Sequence, residues 1–221
     1  TFVSIFLNPK QFNSKKDFEK YPKKLFEDIK ICKKNKVDYL FIPSFKEVYS
    51  WKTKKKRFPI IHNIMENRHR KGHFIGVLKV IEKLIDIIPA NRVYLGEKDF
   101  QQIKVIKDYF NINKIKTKII KCKTIRDKNG LALSSRNKLL NSNNLKKAAE
   151  VINFVKKIKF KSYSLNYKKI IIKKFLKKNK ILFDYIEFLN LNRFKILKKN
   201  SRNMRIFIAF YINKIRLIDN I

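Results

Sequence analysis

The sequence predicts an α/β fold, in which a parallel sheet covered by helices is followed by a smaller C-terminal α+β domain. Short apolar runs alternate with amphipathic helical stretches in the first part of the chain, as in a doubly wound parallel sheet. After residue 137, two helices are followed by consecutive strands. A hydrophobic content of 44% is enough for a core in each part. We therefore predict two domains, 1–137 and 138–221.

The elements of the first domain are predicted from apolar spacing. Between Leu25 and Cys32 apolar side chains recur at helical intervals, and the apolar stretch 74–88 is broken by charges with the same period. Short apolar runs closed by turn residues predict the strands. The predicted order is strand 2–7, helix 15–34, strand 37–42, a mixed segment 44–61, helix 74–88, strand 93–95, helix 99–110 and strand 116–121.

The C-terminal elements are predicted in the same way. Residues 125–134 indicate a hairpin-like loop that turns at Lys128-Asn129-Gly130. The polar stretch 141–144 can cap the helix that follows it. The remaining predicted elements are helices 145–158 and 164–178 and strands 183–189, 204–212 and 214–218.

The formal net charge of +38 would ordinarily indicate a nucleic-acid partner. Only 10 of the 55 basic residues are arginines, which nucleic-acid-binding proteins favour for bidentate contacts. The lysines are dispersed along the chain, and the abundance of Lys, Ile and Asn is typical of A/T-rich codons. We interpret the charge as a solvated surface and expect no specific nucleic-acid partner, although its field should attract anionic ligands.

Neither a membrane nor an oxidising compartment is indicated. No run of 18 uninterrupted apolar residues predicts a membrane span, and no signal peptide is visible. Cys32 and Cys122 lack CxxC spacing, which argues against a zinc site and a disulfide framework. We expect a cytoplasmic protein.

The most informative motif is the heptad Gly96-Glu97-Lys98-Asp99-Phe100-Gln101-Gln102, which separates a short strand from a helix. A glycine at the carboxyl end of a strand allows a tight turn and a close approach to a phosphate. A lysine beside a helix N-terminus adds positive charge where anions are already favoured. An ordinary surface loop with solvated Lys98 and Asp99 also fits the heptad. Other motifs are therefore needed to distinguish a phosphate-binding turn from a surface loop.

Further motifs resemble one known family, in the order in which they follow one another. They are Asn8-Pro9-Lys10-Gln11-Phe12, Arg70-Lys71-Gly72-His73-Phe74, Leu131-Ala132-Leu133-Ser134-Ser135-Arg136 and Arg216-Leu217-Ile218-Asp219-Asn220. With the heptad, they resemble the pantothenate synthetases, also called pantoate–β-alanine ligases. The resemblance implies a Rossmann-like sheet of the nucleotidylyltransferase type.

The resemblance also implies an activity. It implies a ligase that uses ATP to join pantoate and β-alanine through a pantoyl adenylate, with release of pyrophosphate and AMP. Magnesium is the implied cofactor and a homodimer the implied assembly. Glu27 and Asp28 match acids that serve magnesium in the family, but adjacent acids on a surface helix are usually solvated, so we assign no metal ligand on the protein.

Site residues are carried over from the resemblance. Lys98, Ser134 and Arg136 would be catalytic, since they bring positive charge and a hydroxyl to the phosphates. Leu133 stands where the family usually has methionine, and Ile125 matches an adenine contact but equally fits simple packing. The implied ATP-binding residues are Gly96, Glu97, Lys98, Asp99, Ile125, Leu133, Ser134, Ser135 and Arg136.

Pantoate or β-alanine would be held by Asn8, Gln11 and Gln102. Gln102 is one helical turn beyond Lys98 and should face the same cleft. Gln11 follows the carboxyl end of a strand, where open α/β sheets bind ligands, although a mere turn residue also fits. His73 fits a structural role at least as well as a catalytic one.

One family element does not precede Thr1. Pantothenate synthetases open with a strand and a Met-Gly-Ala-Leu-His-x-Gly-His loop, and the three histidines present here do not form that pair. We expect an N-terminally truncated or incompletely recorded chain, impaired in adenylation; genuine loss fits as well. Two other hypotheses stay open, a basic RNA-binding relative with the same fold and an inactive remnant.

Overall fold

The computed structural model describes residues 1–12, 15–50, 56–201 and 203–221. The chain forms two compact units. One consists of Thr1–Tyr94 and Gln101–Ile120, and the other of Leu95–Phe100 and Lys121–Ile221. Among the described residues, no helix has both the length and the apolar character needed to cross a bilayer.

The first unit alternates strands and helices, which confirms the α/β class. Strands β1 and β2 pair in parallel, with Phe2 opposite Tyr39 and Ser4 opposite Phe41. Strands β3 and β4 form a second pair and extend into the second unit. The elements are β1 (Phe2–Ser4), α1 (Lys15–Lys20), α2 (Leu25–Lys34), β2 (Tyr39–Phe41), α3 (Phe45–Ser50), α4 (Met65–His69), α5 (His73–Ile87), β3 (Arg92–Gly96), α6 (Phe100–Ile112) and β4 (Lys118–Cys122).

Several predicted elements of this unit are shorter than expected. The predicted helix 15–34 is divided between α1 and α2, because Pro22 lacks an amide hydrogen and disfavours helical geometry at Tyr21. The predicted strand 2–7 ends early, and a 3-10 helix at Pro9–Gln11 follows it. Of the mixed segment 44–61, residues 51–55 lie outside the described residues.

The second unit contains an antiparallel sheet with two helices, as predicted for the C-terminal part. The strand order is β6-β5-β7-β8, and α7 and α8 pack on β7 and β5. Asn213 and Lys214 both have positive φ, which forms the tight turn between β7 and β8. The elements are α7 (Ser142–Lys159), α8 (Leu165–Lys178), β5 (Phe183–Asn190), β6 (Lys195–Ile196), β7 (Met204–Ile212) and β8 (Ile215–Asn220).

The central strand β7 is buried on both of its faces. Residues 206–210 are all buried, so this strand lacks the polar alternation of a half-exposed sheet. On the face away from the helical core, Phe207 contacts Phe100, whose ring also stacks with Phe194. The heptad therefore supplies an aromatic side chain to this sheet.

The segment 121–141 packs with the C-terminal part of the chain. Leu131 and Leu140 belong to the apolar core that α7, α8 and the sheet enclose. The compact units thus divide the chain before the hairpin, and the domain boundary at residue 137 stays a prediction from the sequence.

Gly76 in α5 is required by a close backbone approach. A Cβ atom at this position would lie 2.8 Å from the carbonyl oxygen of Lys10 and 3.2 Å from its carbonyl carbon. The same helical turn accepts a hydrogen bond at Gly76 O from Asn8 Nδ2, at 3.2 Å. This contact fixes the 3-10 helix at Pro9–Gln11 against α5.

Gly76→Ala should therefore destabilise the protein. Overpacking against backbone costs about 1–3 kcal/mol, and alanine's better helix propensity returns up to about 1 kcal/mol, so we expect a net loss of about 1–2 kcal/mol. Denaturant unfolding would measure it. Gly96→Ala is the matched control, because a Cβ there meets nothing within 4 Å and φ is −71°. Equal stability of both variants would contradict the close approach.

Candidate active site

The heptad leaves β3 through a short 3-10 helix, Glu97–Asp99, and α6 begins at Phe100. Gly96 has an extended backbone with φ of −71°, a conformation that does not itself require glycine. The open space at its missing Cβ still leaves room for a ligand. Lys98 lies in the 3-10 turn and Gln102 lies in α6. The regular α-helical spacing from which a shared face was predicted therefore does not run from one residue to the other.

The hairpin predicted at residues 125–134 is present and is held by its own turn. Asp127 Oδ1 accepts hydrogen bonds from Asn129 N at 2.9 Å and Leu131 N at 3.0 Å. Gly130 takes φ of 87°, which favours glycine. Leu133 N donates to Ile125 O at 3.0 Å, so these two residues lie opposite each other. Both side chains are exposed, and together they form an apolar surface on one face of the hairpin.

The hairpin leads into a 3-10 helix at Ser135–Leu139, which Ser134 caps. Ser134 Oγ accepts a hydrogen bond from Arg136 N at 3.3 Å. Ser135 is exposed at the first position of this helix. The predicted phosphate-binding serines therefore stand at the start of a short 3-10 helix, where Ser134 already accepts from the backbone N–H groups of Arg136 and Asn137.

Lys98 lies beside this hairpin in the second unit. It is half-buried, and its Nζ lies 3.5 Å from Leu133 O. Burial lowers the pKa of Lys98 below its ordinary value of 10.5; the Asp99 and Asp219 carboxylates partly offset this, and Arg136 and Arg126 lower it further. The charges of two arginines and two carboxylates thus act on Lys98, and the excess of positive charge in this group favours an anionic ligand.

The residues predicted to hold the smaller substrate lie in the first unit. Asn8 is buried, and its Oδ1 accepts from Lys10 N at 3.1 Å and from Tyr49 Oη at 3.0 Å. Gln11 is half-buried, and its carbonyl accepts from Arg70 Nη2 at 2.8 Å and from the Nδ1–H of His73 at 2.9 Å. Because a carbonyl only accepts, His73 must carry its proton on Nδ1, in a structural role toward Gln11.

The two adjacent glutamines of the heptad differ in their use. Gln101 is buried, accepts at Oε1 from Glu66 N at 3.0 Å and donates from Nε2 to Ile64 O at 3.0 Å. Gln102 is half-buried, and no hydrogen bond joins its side chain to another residue within the described part of the chain. Gln101 therefore holds the fold, while Gln102 is available to a ligand.

Comparison with known proteins identifies the family. The profile of the family described as Pantoate-beta-alanine ligase matches residues 1–221. The chain belongs to the pantoate–β-alanine ligase family. It is thus an enzyme of the ligase class, and the predicted resemblance is confirmed.

Individual relatives agree with this assignment. Pantothenate synthetase of Endomicrobium trichonymphae is 40% identical over 227 residues, which cover 100% of this chain and 80% of the relative. Pantothenate synthetase of Flavobacterium psychrophilum is 38% identical over 229 residues, covering 100% of this chain and 81% of the relative.

Solved structures confirm the fold class, including its nucleotidylyltransferase type. A pantothenate synthetase of Thermus thermophilus superposes with a TM-score of 0.90 at 28% identity, covering 100% of this chain and 82% of the other. The pantoate-beta-alanine ligase of Francisella tularensis was solved with beta-gamma ATP and beta-alanine. It superposes with a TM-score of 0.81 at 40% identity, covering 100% of this chain and 78% of the other.

The sequence missed the polar residues that hold the family's motifs in place. Glu66 and Arg70 form a partly buried ion pair at 3.1 Å. Arg70 also donates to the carbonyl of Gln11, and the backbone N of Glu66 donates to Gln101 Oε1, so this short segment contacts both motifs. In the second unit, Arg126, Asp219 and Asn220 form a second network. The string Asp219-Asn220 was visible as a motif, but its burial was not, and no role was predicted for it.

The lowered pKa of Lys98 predicts a pH-dependent effect on stability. A lysine with a depressed folded-state pKa binds its proton more weakly in the native state, so the charged side chain destabilises the fold below that pKa. Lys98→Met should therefore raise the melting temperature at neutral pH, and the gain should shrink as the pH rises toward 10.5.

Thermal melts of wild type and variant between about pH 7 and pH 10 would test this. Lys128→Met is the control, because Lys128 is exposed at the tip of the hairpin and its replacement removes a lysine charge that folding does not bury. A gain from Lys98→Met that does not change with pH would show that charge burial is not its cause.

Proposed function

We propose that this protein condenses pantoate with β-alanine at the expense of ATP. A carboxylate oxygen of pantoate attacks the α-phosphorus of ATP, and the bond to the β-phosphate breaks, releasing pyrophosphate. The amine of β-alanine then attacks the acyl carbon, loses a proton and displaces AMP, which leaves the amide. The observation that carries the proposal is the family match over the whole chain, with its charged and apolar motifs placed as above.

In this proposal the ATP half of the reaction uses groups of the second unit. We assign Lys98 and Arg136 to the phosphates, because developing negative charge is stabilised by preorganised cations. Ser134 and Ser135 add hydroxyls at the start of the 3-10 helix. The lowered pKa of Lys98 is consistent with this role, since a bound polyphosphate would stabilise the charged form that burial disfavours.

The nucleoside would contact the remaining residues of the same unit. The exposed, directly opposed side chains of Ile125 and Leu133 offer an apolar surface for adenine. Asp99 is assigned to the ribose hydroxyls. The turn at Gly96 and Glu97 would lie against the nucleotide, where the missing Cβ of Gly96 leaves space.

The first unit would hold pantoate through neutral polar groups. Gln102 is assigned to the substrate directly, since its neighbour Gln101 is already committed to the fold. Gln11 is held by its backbone to Arg70 and His73, which leaves its side-chain amide for the ligand. Asn8 caps the turn that presents Gln11, so its contribution to binding is chiefly through that turn.

Magnesium, homodimerisation and a cytoplasmic location belong to the proposal as implications of the family. Within the described ranges, no three His, Cys, Asp or Glu side chains gather into a metal site. Magnesium would be held mainly by the ATP phosphates, where it would neutralise charge and need few protein ligands.

Lys98→Ala tests the assignment of the phosphate charge. Loss of one preorganised charge should lower the rate of pantoate-dependent pyrophosphate release about a hundredfold, or about 3 kcal/mol. A coupled pyrophosphate assay at saturating substrates would measure it. Lys128→Ala, an exposed lysine on the neighbouring hairpin, should retain the wild-type rate. Full activity of Lys98→Ala would remove Lys98 from the mechanism.

Gln11→Ala and Gln102→Ala test the pantoate site. Each removes hydrogen bonds to a small polar ligand, which costs about 1–3 kcal/mol, so KM for pantoate should rise far more than KM for ATP. Gln101→Ala is the matched control, because it breaks two structural hydrogen bonds and should lower the melting temperature without separating the two KM values. Equal changes in both KM values for Gln102→Ala would contradict the assignment.

A further inference from the structure

The last strand, β8, ends in two adjacent polar residues that are almost fully buried. Asp219 is 3% exposed and Asn220 is 4% exposed. Burial of polar groups is unfavourable unless their hydrogen bonds are satisfied, so the partners of these side chains show what the burial achieves. Those partners lie on the two segments that carry the proposed ATP site.

Asn220 holds the turn of the heptad through its side-chain amide. Its Nδ2 donates to Glu97 O at 2.8 Å and to Lys98 O at 2.9 Å. Its Oδ1 accepts from Arg205 Nη1 at 2.9 Å. A guanidinium only donates, so Arg205 fixes the orientation of the amide and directs its two N–H groups at the two carbonyls.

Arg205 is itself tied to the same segment. Its guanidinium lies 3.7 Å from Glu97 Oε2 and 5.6 Å from the ring centroid of Phe100. The backbone carbonyls of a 3-10 turn need partners outside the turn. Here Asn220 supplies them, and Arg205 determines that it is the amide nitrogen that faces the carbonyls.

Asp219 holds the hairpin that faces this turn. It accepts from Arg126 Nη1 at 2.6 Å and from Nη2 at 3.0 Å. Arg126 also donates to Gly130 O at 3.0 Å and to Asn220 O at 3.2 Å, so its fork joins the hairpin tip to the end of β8. The Asp219 carboxylate also raises the pKa of Lys98, which helps to keep that side chain charged beside Arg126.

From these contacts we infer that Asn220 is a positioning residue for the nucleotide, because it fixes the backbone of Lys98. Its neighbour Asp219 fixes the hairpin that carries Leu133 and that leads to Arg136. The inference rests on the proposed function for the identity of the nucleotide. The catalytic charge must lie within a fraction of an ångström of the phosphates, and a misplacement of about 1 Å costs about a hundredfold in rate. A rigid amide anchor on the backbone of Lys98 supplies that accuracy.

Asn220→Asp is the most direct test. The replacement has the same shape and can still pair with Arg205, but it offers an oxygen to two carbonyl oxygens and so repels them. We expect kcat/KM for ATP in pyrophosphate release to fall about tenfold to a hundredfold, with KM for pantoate unchanged within about twofold. Asn200→Asp is the matched control, since Asn200 also donates an amide hydrogen to a distant carbonyl, Tyr163 O at 3.0 Å, and should leave both values unchanged.

A second pair of variants covers the case in which Asn220→Asp does not fold. Arg205→Met removes the donor that orients the amide but keeps an apolar stem against Phe100, and Arg205→Lys keeps one donor. Arg205→Met should reproduce the selective loss for ATP, and Arg205→Lys should restore most of it. A rise in KM for pantoate as large as the loss in kcat/KM for ATP, or no loss of kcat/KM in either series, would show that β8 only holds the fold and would overturn the inference.

Calorimetric binding of a non-hydrolysable ATP analogue separates this inference from the proposed function. If the wild type binds the analogue but releases no pyrophosphate with pantoate, the proposed ligase reaction fails. The inference is then decided by affinity: weakening of about tenfold by Asn220→Asp or Arg205→Met, but not by Asn200→Asp, supports it, and equal affinities refute it. If the wild type binds no analogue, Asn220 has no nucleotide to position and the inference is wrong.

Discussion

The ion pair between Arg126 and Asp219 is the interaction on which the second unit depends. It joins residues 93 positions apart, and the carboxylate is almost completely removed from water. Removing Arg126 would leave the buried Asp219 carboxylate without its charged partner, which is strongly unfavourable for a charge out of water. With both present, the hairpin, the last strand and the 3-10 turn of the heptad form one connected polar network. The aromatic contact of Phe100 with Phe207 attaches the same turn to the sheet from its apolar side.

The high net charge of the chain and the local charge at Lys98 are different matters. Most lysines are dispersed along the chain, and they contribute a general positive field. Near Lys98 the positive groups are instead gathered and partly buried, with Asp99 and Asp219 among them. Desolvation there makes each charge more effective toward a bound anion, as in a preorganised site. The net charge alone would ordinarily indicate a nucleic-acid partner; the local arrangement suits a small polyphosphate.

In the first unit, structural contacts also hold the proposed ligand-binding residues in place, but the side chains that these residues offer to a ligand are neutral. Gly76 lets the turn that carries Gln11 lie directly on α5, and His73 and Arg70 hold the carbonyl of Gln11 from the same helical region. Gln101 then ties the start of α6 to α4. Structural polar residues therefore hold the backbone of Gln11 and the start of α6, while the side chains of Gln11 and Gln102 stay available to a ligand.

Local patterns were enough to predict the α/β class and the hairpin at Gly130. They were also enough to single out the heptad as a motif and to indicate the family, because each of these features depends on residues a few positions apart. Apolar periods and turn chemistry act between neighbours, and motifs are short strings. Tertiary contacts were needed to learn that Gln101 is structural while Gln102 is available, and that Asn220 holds Lys98. Asn220 and Lys98 are separated by 122 residues, so no local pattern could relate them. Their contact exists because β8 pairs with β7, whose buried faces bring both the last strand and Phe100 to the same sheet.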